Sequence, residues 1–229
     1  MVVTKLDFLK VILATAAIFL IGLGLGYSLD TSRVAYLSEE LRERTLETQS
    51  FIVGQTYLDS VEDRENFCSL MNDWIYQVGK KTAQLGNDLQ NFGSASMFHR
   101  ADYKYLQSKY YLYEIRFMLM VDQYRDRCNK DIVSIMYFFG DNIQSERQGN
   151  VLTQVRKNHQ GDVFVFSFHT ESEQTSAVKM LERDFNVTST PAIVINRESV
   201  YRRYVGKTEL NNRVEDYLNG NATNATARS

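Results

Sequence analysis

One proline in 229 residues is the first shortage of this chain, and only two cysteines and three histidines accompany it. A single proline excludes proline-rich linkers and polyproline recognition segments. Two cysteines exclude a disulfide-dense scaffold. His99, His159 and His169 are scattered, and none stands at metal-ligand spacing from a Cys, Asp or Glu cluster. No metal site is expected. A phosphate-cradling glycine loop, a nucleophile elbow and a paired-carboxylate motif are also missing. A formal net charge of -2, without a Lys/Arg cluster, leaves no electrostatic case for nucleic acid. No cofactor is expected.

What is present is an ordinary folded composition, 44% hydrophobic and 24% charged. The lone proline stands at the mouth of an apolar run, Val187-Thr188-Ser189-Thr190-Pro191-Ala192-Ile193-Val194-Ile195-Asn196. A proline placed there serves geometry, and a tight entry into a strand is where a cis X-Pro bond occurs. A cis bond is therefore expected between Thr190 and Pro191.

Outward from that proline, strand signals cover 131–139, 163–168, 192–196 and 199–205, with helical patterns over 143–159, 172–185 and 208–218. The order is β-α-β-α-β-β-α. The runs Ile132 to Phe139 and Val163 to Phe166 are nearly continuous in apolar residues, as in strands covered on both faces. Asn142 suits the N-cap of the helix that follows the first strand.

With the Val-x-x-Thr-Pro-x-x-x-x-Asn run at 187–196, this order resembles the thioredoxin-like family, especially its periplasmic disulfide-oxidoreductase branch, over about 131–218. In that family a Cys-x-x-Cys pair opens the first helix. An ungapped fit puts Asn142 and Ser145 at the two thiol positions. The redox chemistry needs a thiolate at a helix N-terminus, and neither side chain supplies one. The resemblance implies that the backbone at Thr190 stays open to an extended peptide. The expected groove is formed by Thr190 and Pro191, with Asp141, Asn142 and Ser145 on the opposite lip, and no catalytic residue is assigned. Whether the chain is an enzyme stays open, with binding favoured over catalysis.

The N-terminal half carries other signals. Residues 11–29 form 19 residues without a charge, about 28 Å as a helix against a hydrocarbon core of about 30 Å. An uncleaved transmembrane helix is expected there, after a short cytoplasmic tail at 1–10, with a cleaved signal peptide as the rival. Gly22 and Gly26 have the spacing that lets two such helices approach, so a homodimer through them or through the helical region is one partner expectation. A helical stalk is expected over 30–60.

Two helical patterns follow at 61–129. Phe67, Met71, Trp74, Val78, Leu85 and Leu89 keep a three-four spacing with one break near Lys81 and Thr82. Tyr103, Leu106, Tyr110, Tyr113, Phe117, Met120 and Tyr124 keep it without a break. An antiparallel hairpin, coiled-coil-like in its seam, is the simple result. Turning between about 92 and 101, it brings Cys68 within about one turn of Cys128, so a structural disulfide is expected. A redox-active pair, and hence a thiol-disulfide oxidoreductase using Cys68 and Cys128 with a partner, is the alternative.

Asn186, Asn221 and Asn224 begin glycosylation tripeptides. The tail at 219–229 has no apolar residue larger than alanine and is expected to be disordered. Together these features predict a thioredoxin-like α/β domain behind a transmembrane helix and a helical hairpin. The expected protein is a single-pass membrane protein whose bulk lies outside the cytoplasm. Its expected role is redox-inactive binding of a protein or extended peptide, as assembly factor, chaperone or scaffold.

Overall fold

The computed structural model describes residues 15, 16, 19, 20, 46–93, 100–170 and 175–220. The chain divides into two compact units, Met1–Ser60 and Val61–Ser229. In the first, residues 46–60 are helical.

The expected transmembrane helix is corrected here. Among the described residues no helix is long and apolar enough to cross a membrane. Of 11–29 only Thr15, Ala16, Phe19 and Leu20 are described, and the rest of that run lies outside the described residues. The long helices of the second unit carry charges along their length, such as Asp73, Lys80, Lys81 and Asp88 in one, and Lys109, Glu114, Arg116 and Asp122 in the other. A single-pass membrane anchor is therefore not supported. The expected tail at 1–10, the Gly22/Gly26 pair, and Asn221 and Asn224 lie outside the described residues.

The second unit opens with α1 (Arg64–Gly93) and α2 (Arg100–Cys128). These pack along each other, and a disulfide joins Cys68 near the start of α1 to Cys128 at the end of α2, with the Cα atoms 5.7 Å apart. That link makes the pair antiparallel. Phe67, Met71, Val78 and Leu85 of α1 are buried. The expected break near Thr82 does not interrupt the helix. Thr82 is itself buried, because its hydroxyl donates to the Val78 carbonyl at 2.8 Å and leaves its methyl for the seam.

Helix α2 has two apolar faces. Tyr113 and Met120 of the expected stripe are buried, and so are Tyr111, Ile115, Met118 and Val121, mostly one position along. This second stripe packs with Met136, Phe138, Phe166, Phe168, Ala192 and Val194 of the sheet. A helix that is apolar on opposite sides is sandwiched, and α2 lies between α1 and the sheet.

The sheet comprises β1 (Val133–Phe139), β2 (Val163–His169), β3 (Ala192–Ile195) and β4 (Ser199–Tyr201), in the order β2-β1-β3-β4. Strand β1 pairs parallel with β2 and antiparallel with β3, which pairs antiparallel with β4. The remaining helices are α3 (Ile143–Asn158), α4 (Ser176–Asp184) and α5 (Lys207–Leu218). Val178 and Leu181 of α4 join α2 on one face, while α3 and α5 cover the other through Leu152, Val155, Leu210 and Val214. Strand order, strand directions and helix placement are those of a thioredoxin-like fold, as the resemblance implies.

Strand β4 is shorter than the expected 199–205. After Tyr201 the Arg202 guanidinium turns onto the Phe185 and Asn186 carbonyls at 2.9 and 2.6 Å. The Val205 N–H then donates to Gln148 Oε1 at 2.7 Å instead of joining a strand.

A polar cluster ties α2 to the sheet. Asn196 Oδ1 accepts from the Ser134 N–H at 2.8 Å and from Arg125 Nη1 at 3.0 Å. Asp122, on the same helix face as Arg125, accepts from the Ser134 hydroxyl at 2.6 Å. Burial raises the Asp122 carboxyl above its ordinary range, against the lowering pull of Ser134 and Arg125.

Candidate functional site

The bond between Thr190 and Pro191 is cis, and Pro191 is buried at the entrance to β3. The preceding loop is held from outside, since the Ser189 hydroxyl donates to the Arg202 carbonyl at 3.3 Å. Thr190 is half-buried. Among the described residues, no hydrogen bond is made by its backbone N–H or C=O.

Opposite Thr190 lies the first turn of α3. Asn142 is the N-cap, and its Oδ1 accepts from the Ser145 N–H at 2.9 Å, satisfying one of the free donors of a helix start. Its Nδ2 reaches across to the Thr190 hydroxyl at 3.0 Å. The structure thus brings Asn142 and Thr190 together. Asp141 and Asn142 are exposed.

Ser145 is placed differently from a lip residue. It is 2% exposed, and its hydroxyl accepts from the Gly140 N–H at 3.2 Å. Its carbonyl accepts from the Tyr137 hydroxyl. Burial pushes the Tyr137 phenol up to about 12, so it remains a donor at neutral pH. Ser145 supports the turn from beneath and lines the same cleft as Asp141 and Asn142.

A contact not anticipated from sequence completes this end. His169 Nε2 lies 2.9 Å from Asp141 Oδ1, and the imidazole stands edge-on to Phe139 with ring centres 4.9 Å apart. His169 is the register partner of Phe139, so the ends of two paired strands bring it to the loop that carries Asp141. The signal available in sequence was only that both positions close adjacent strands. An open cleft of about 670 Å3 beside Asp141, Asn142 and Ile143 is lined by Tyr137 and Phe139 and not by Thr190 or Pro191. Ile143 is 72% exposed, an apolar rim to an otherwise polar turn.

Among the described residues of this end, no side-chain nucleophile stands beside a base. A serine nucleophile needs an adjacent base, and the Ser145 hydroxyl is turned inward onto Gly140. Both cysteines are in the disulfide, and no free cysteine remains. Of the remaining histidines, His159 bonds Asn211 Oδ1 at 3.0 Å, and His99 lies outside the described residues. Asn186 is exposed, with φ of 48°. The site presents a Thr190 main chain without a hydrogen-bond partner among the described residues, beside the Asn142 side chain.

No family model and no curated protein matches the chain. Among solved structures it is similar to one described as the structure of a malarial protein, at 17% identity and a TM-score of 0.33, covering 38% of this chain and 98% of that one. It is also similar to thioredoxin-2, described as a component of the malaria parasite protein secretion machinery, at 18% identity and a TM-score of 0.33, covering 37% of this chain and 82% of that one. These are resemblances only, and the thioredoxin-like assignment rests on the strand order and helix placement given above.

Proposed function

We propose that this chain is a redox-inactive thioredoxin-like protein that binds an extended segment of a partner protein, as an assembly factor, chaperone or scaffold outside the cytoplasm. The observation that carries this reading is the Asn142–Thr190 pair, which flanks a Thr190 main chain with no hydrogen-bond partner among the described residues. A peptide running beside Thr190 gains main-chain hydrogen bonds there, while Asp141, Asn142 and Ile143 meet its side chains. Redox inactivity is supported by the amide of Asn142 at the start of α3, where thiol chemistry needs a thiolate. An extracytoplasmic place is supported by the disulfide, a bond that persists in oxidising compartments.

The test is selection of peptides on the full chain from a displayed library, followed by affinity measurement against Asn142→Trp, which fills the groove from its exposed rim. Selected peptides are expected to bind the variant at least tenfold more weakly, with the thermal unfolding of the variant recorded alongside. Equal affinity for both proteins, or failure to select any peptide, would sink the reading. Turnover of a disulfide substrate by the wild type would refute redox inactivity separately.

A further inference from the structure

Strand β2 is an edge strand, and its outer side opens into a second cavity of about 590 Å3. Val133 N–H bonds the Asp162 carbonyl and Thr170 N–H bonds the Phe139 carbonyl, which sets the phase of the parallel ladder. The even-numbered residues of β2 therefore bond β1, and Val163, Val165, Ser167 and His169 turn their N–H and C=O groups outward. Three of those N–H groups have internal partners. Val163 donates to the His159 carbonyl at 3.2 Å, Ser167 to the Glu114 carboxylate and His169 to the Tyr111 hydroxyl at 3.2 Å. The Val165 N–H and the outward carbonyls of Val163 and Val165 have no partner among the described residues.

Val163, Phe164, Val165 and Phe166 all line this cavity. Successive side chains alternate between faces, so four in a row border one space only along the strand's open edge. Above that edge stands Glu114 of α2, 7% exposed. Its carboxylate is bonded by the Tyr110 hydroxyl as well as Ser167, yet its Oε2 has no partner. Burial pushes this carboxyl up to about 7, against the lowering pull of Tyr110 and of Arg156 on α3. On the α1 side the wall is made of small residues, including Gly79, Ala83 and Gly86.

We propose that this cavity binds the amino-terminal end of an extended peptide, which adds as a strand to the outer edge of β2 and sets its α-ammonium on Glu114 Oε2. Two unfilled needs select this occupant. An open strand edge takes main chain, because only main chain offers donors and acceptors at the repeat of the strand. A buried carboxylate oxygen without a donor takes a group rich in N–H, and an ammonium has three. The free end of a peptide carries both in one segment. With its ammonium near Ser167, it runs antiparallel to β2 towards Val163. The volume lies within the roughly 300–1,000 Å3 of ordinary ligand sites. This site is separate from the groove at Thr190.

The test uses the full chain at pH 7, where the peptide α-amino group is an ammonium, and a C-terminally labelled Ala-Val-Ala-Val peptide read by fluorescence anisotropy. Saturable binding is expected, weakened at least tenfold by N-acetylation of the peptide. Glu114→Gln keeps the shape of the side chain and removes the charge. Ala83→Leu fills the cavity from an exposed position on α1 and leaves Glu114 intact. Each is expected to weaken binding at least tenfold, whereas Asn142→Trp leaves it unchanged. Absence of saturable binding, equal binding of the acetylated peptide, or loss in only one of the two cavity variants would overturn the proposal. Loss in Asn142→Trp would also overturn it, by moving the peptide to the other groove.

Discussion

Asn142 Nδ2 donates to the Thr190 hydroxyl at 3.0 Å, a hydrogen bond between residues 48 positions apart. The same side chain caps α3 through its oxygen, so one amide serves both the helix start and the bridge to the loop before β3. Asn142→Ala removes both and should cost about 1–2 kcal/mol, most of it the cap. Thr190→Val removes the bridge alone and should cost about 0.5–1 kcal/mol, since the bond is exposed. Urea unfolding of the two variants and their combination gives the coupling directly. A coupling near zero would mean that the two sides are not energetically linked.

The disulfide makes a second prediction. It closes a loop with a sequence separation of 60, for which the chain-entropy account gives about 4 kcal/mol. A Cys68→Ala/Cys128→Ala protein should lose up to that amount in urea. Cys128 is 8% exposed and Cys68 half-buried, so native-state attack by glutathione is confined to the Cys68 sulfur and should be slow. Rapid native-state reduction would instead favour a redox-active pair.

How far the sequence carried differs from element to element, for identifiable reasons. Strands β1 and β3 were legible because both faces are covered, so their apolar runs are continuous. Asn142 was legible as a cap because capping is local. The inward turn of Ser145 was not, since it depends on Gly140 and Tyr137 folding beneath it. The Asp141–His169 contact is set by strand register between positions 28 apart, which no local pattern records. Of the stripe expected on α2, Tyr110 and Phe117 meet α1 at Gly86 and Gly79 and also pack against the sheet, and the neighbouring stripe of Tyr111, Ile115, Met118 and Val121 was hidden within the same apolar helix. Thr82 looked like a break because a hydroxyl counts as polar until its bond to the preceding turn is seen. The uncharged run at 11–29 satisfied length and charge, whereas among the described residues no helix is long and apolar enough to cross a membrane.

Glu114 gives a prediction about pH. Folding raises its carboxyl from the ordinary 4.5 to about 7, chiefly by burial, while Tyr110, Arg156 and the Ser167 amide pull it down. The folded state therefore holds this proton more tightly than the unfolded chain. The stability linked to it is fully present below about pH 4.5, declines as pH rises towards about 7, and is flat above that. The whole change is on the order of 3 kcal/mol. Glu114→Gln stays neutral throughout, so the difference in urea stability between pH 5 and pH 8 should shrink by about that amount. An unaltered pH profile in the variant would show that other groups set it.

Gly79 tests the packing of α1 on α2. Alanine is favoured over glycine inside a helix by about 1 kcal/mol, so Gly79→Ala would stabilise an isolated α1. In the folded chain the added Cβ meets Phe117 Cζ at 3.0 Å. The Phe117 ring has little freedom to withdraw, because it stands edge-on to Phe164 and Phe166 with centroids 5.6 and 5.5 Å away. Overpacking of this kind typically costs about 1–3 kcal/mol, which outweighs the propensity gain. Gly79→Ala should therefore destabilise by about 1 kcal/mol. Phe117→Leu removes the obstructing ring edge, and in that background the same substitution should turn neutral or stabilising, by up to about 1 kcal/mol. Urea unfolding of the four proteins reads this reversal of sign, and its failure to occur would mean that Phe117 is not what opposes the methyl group.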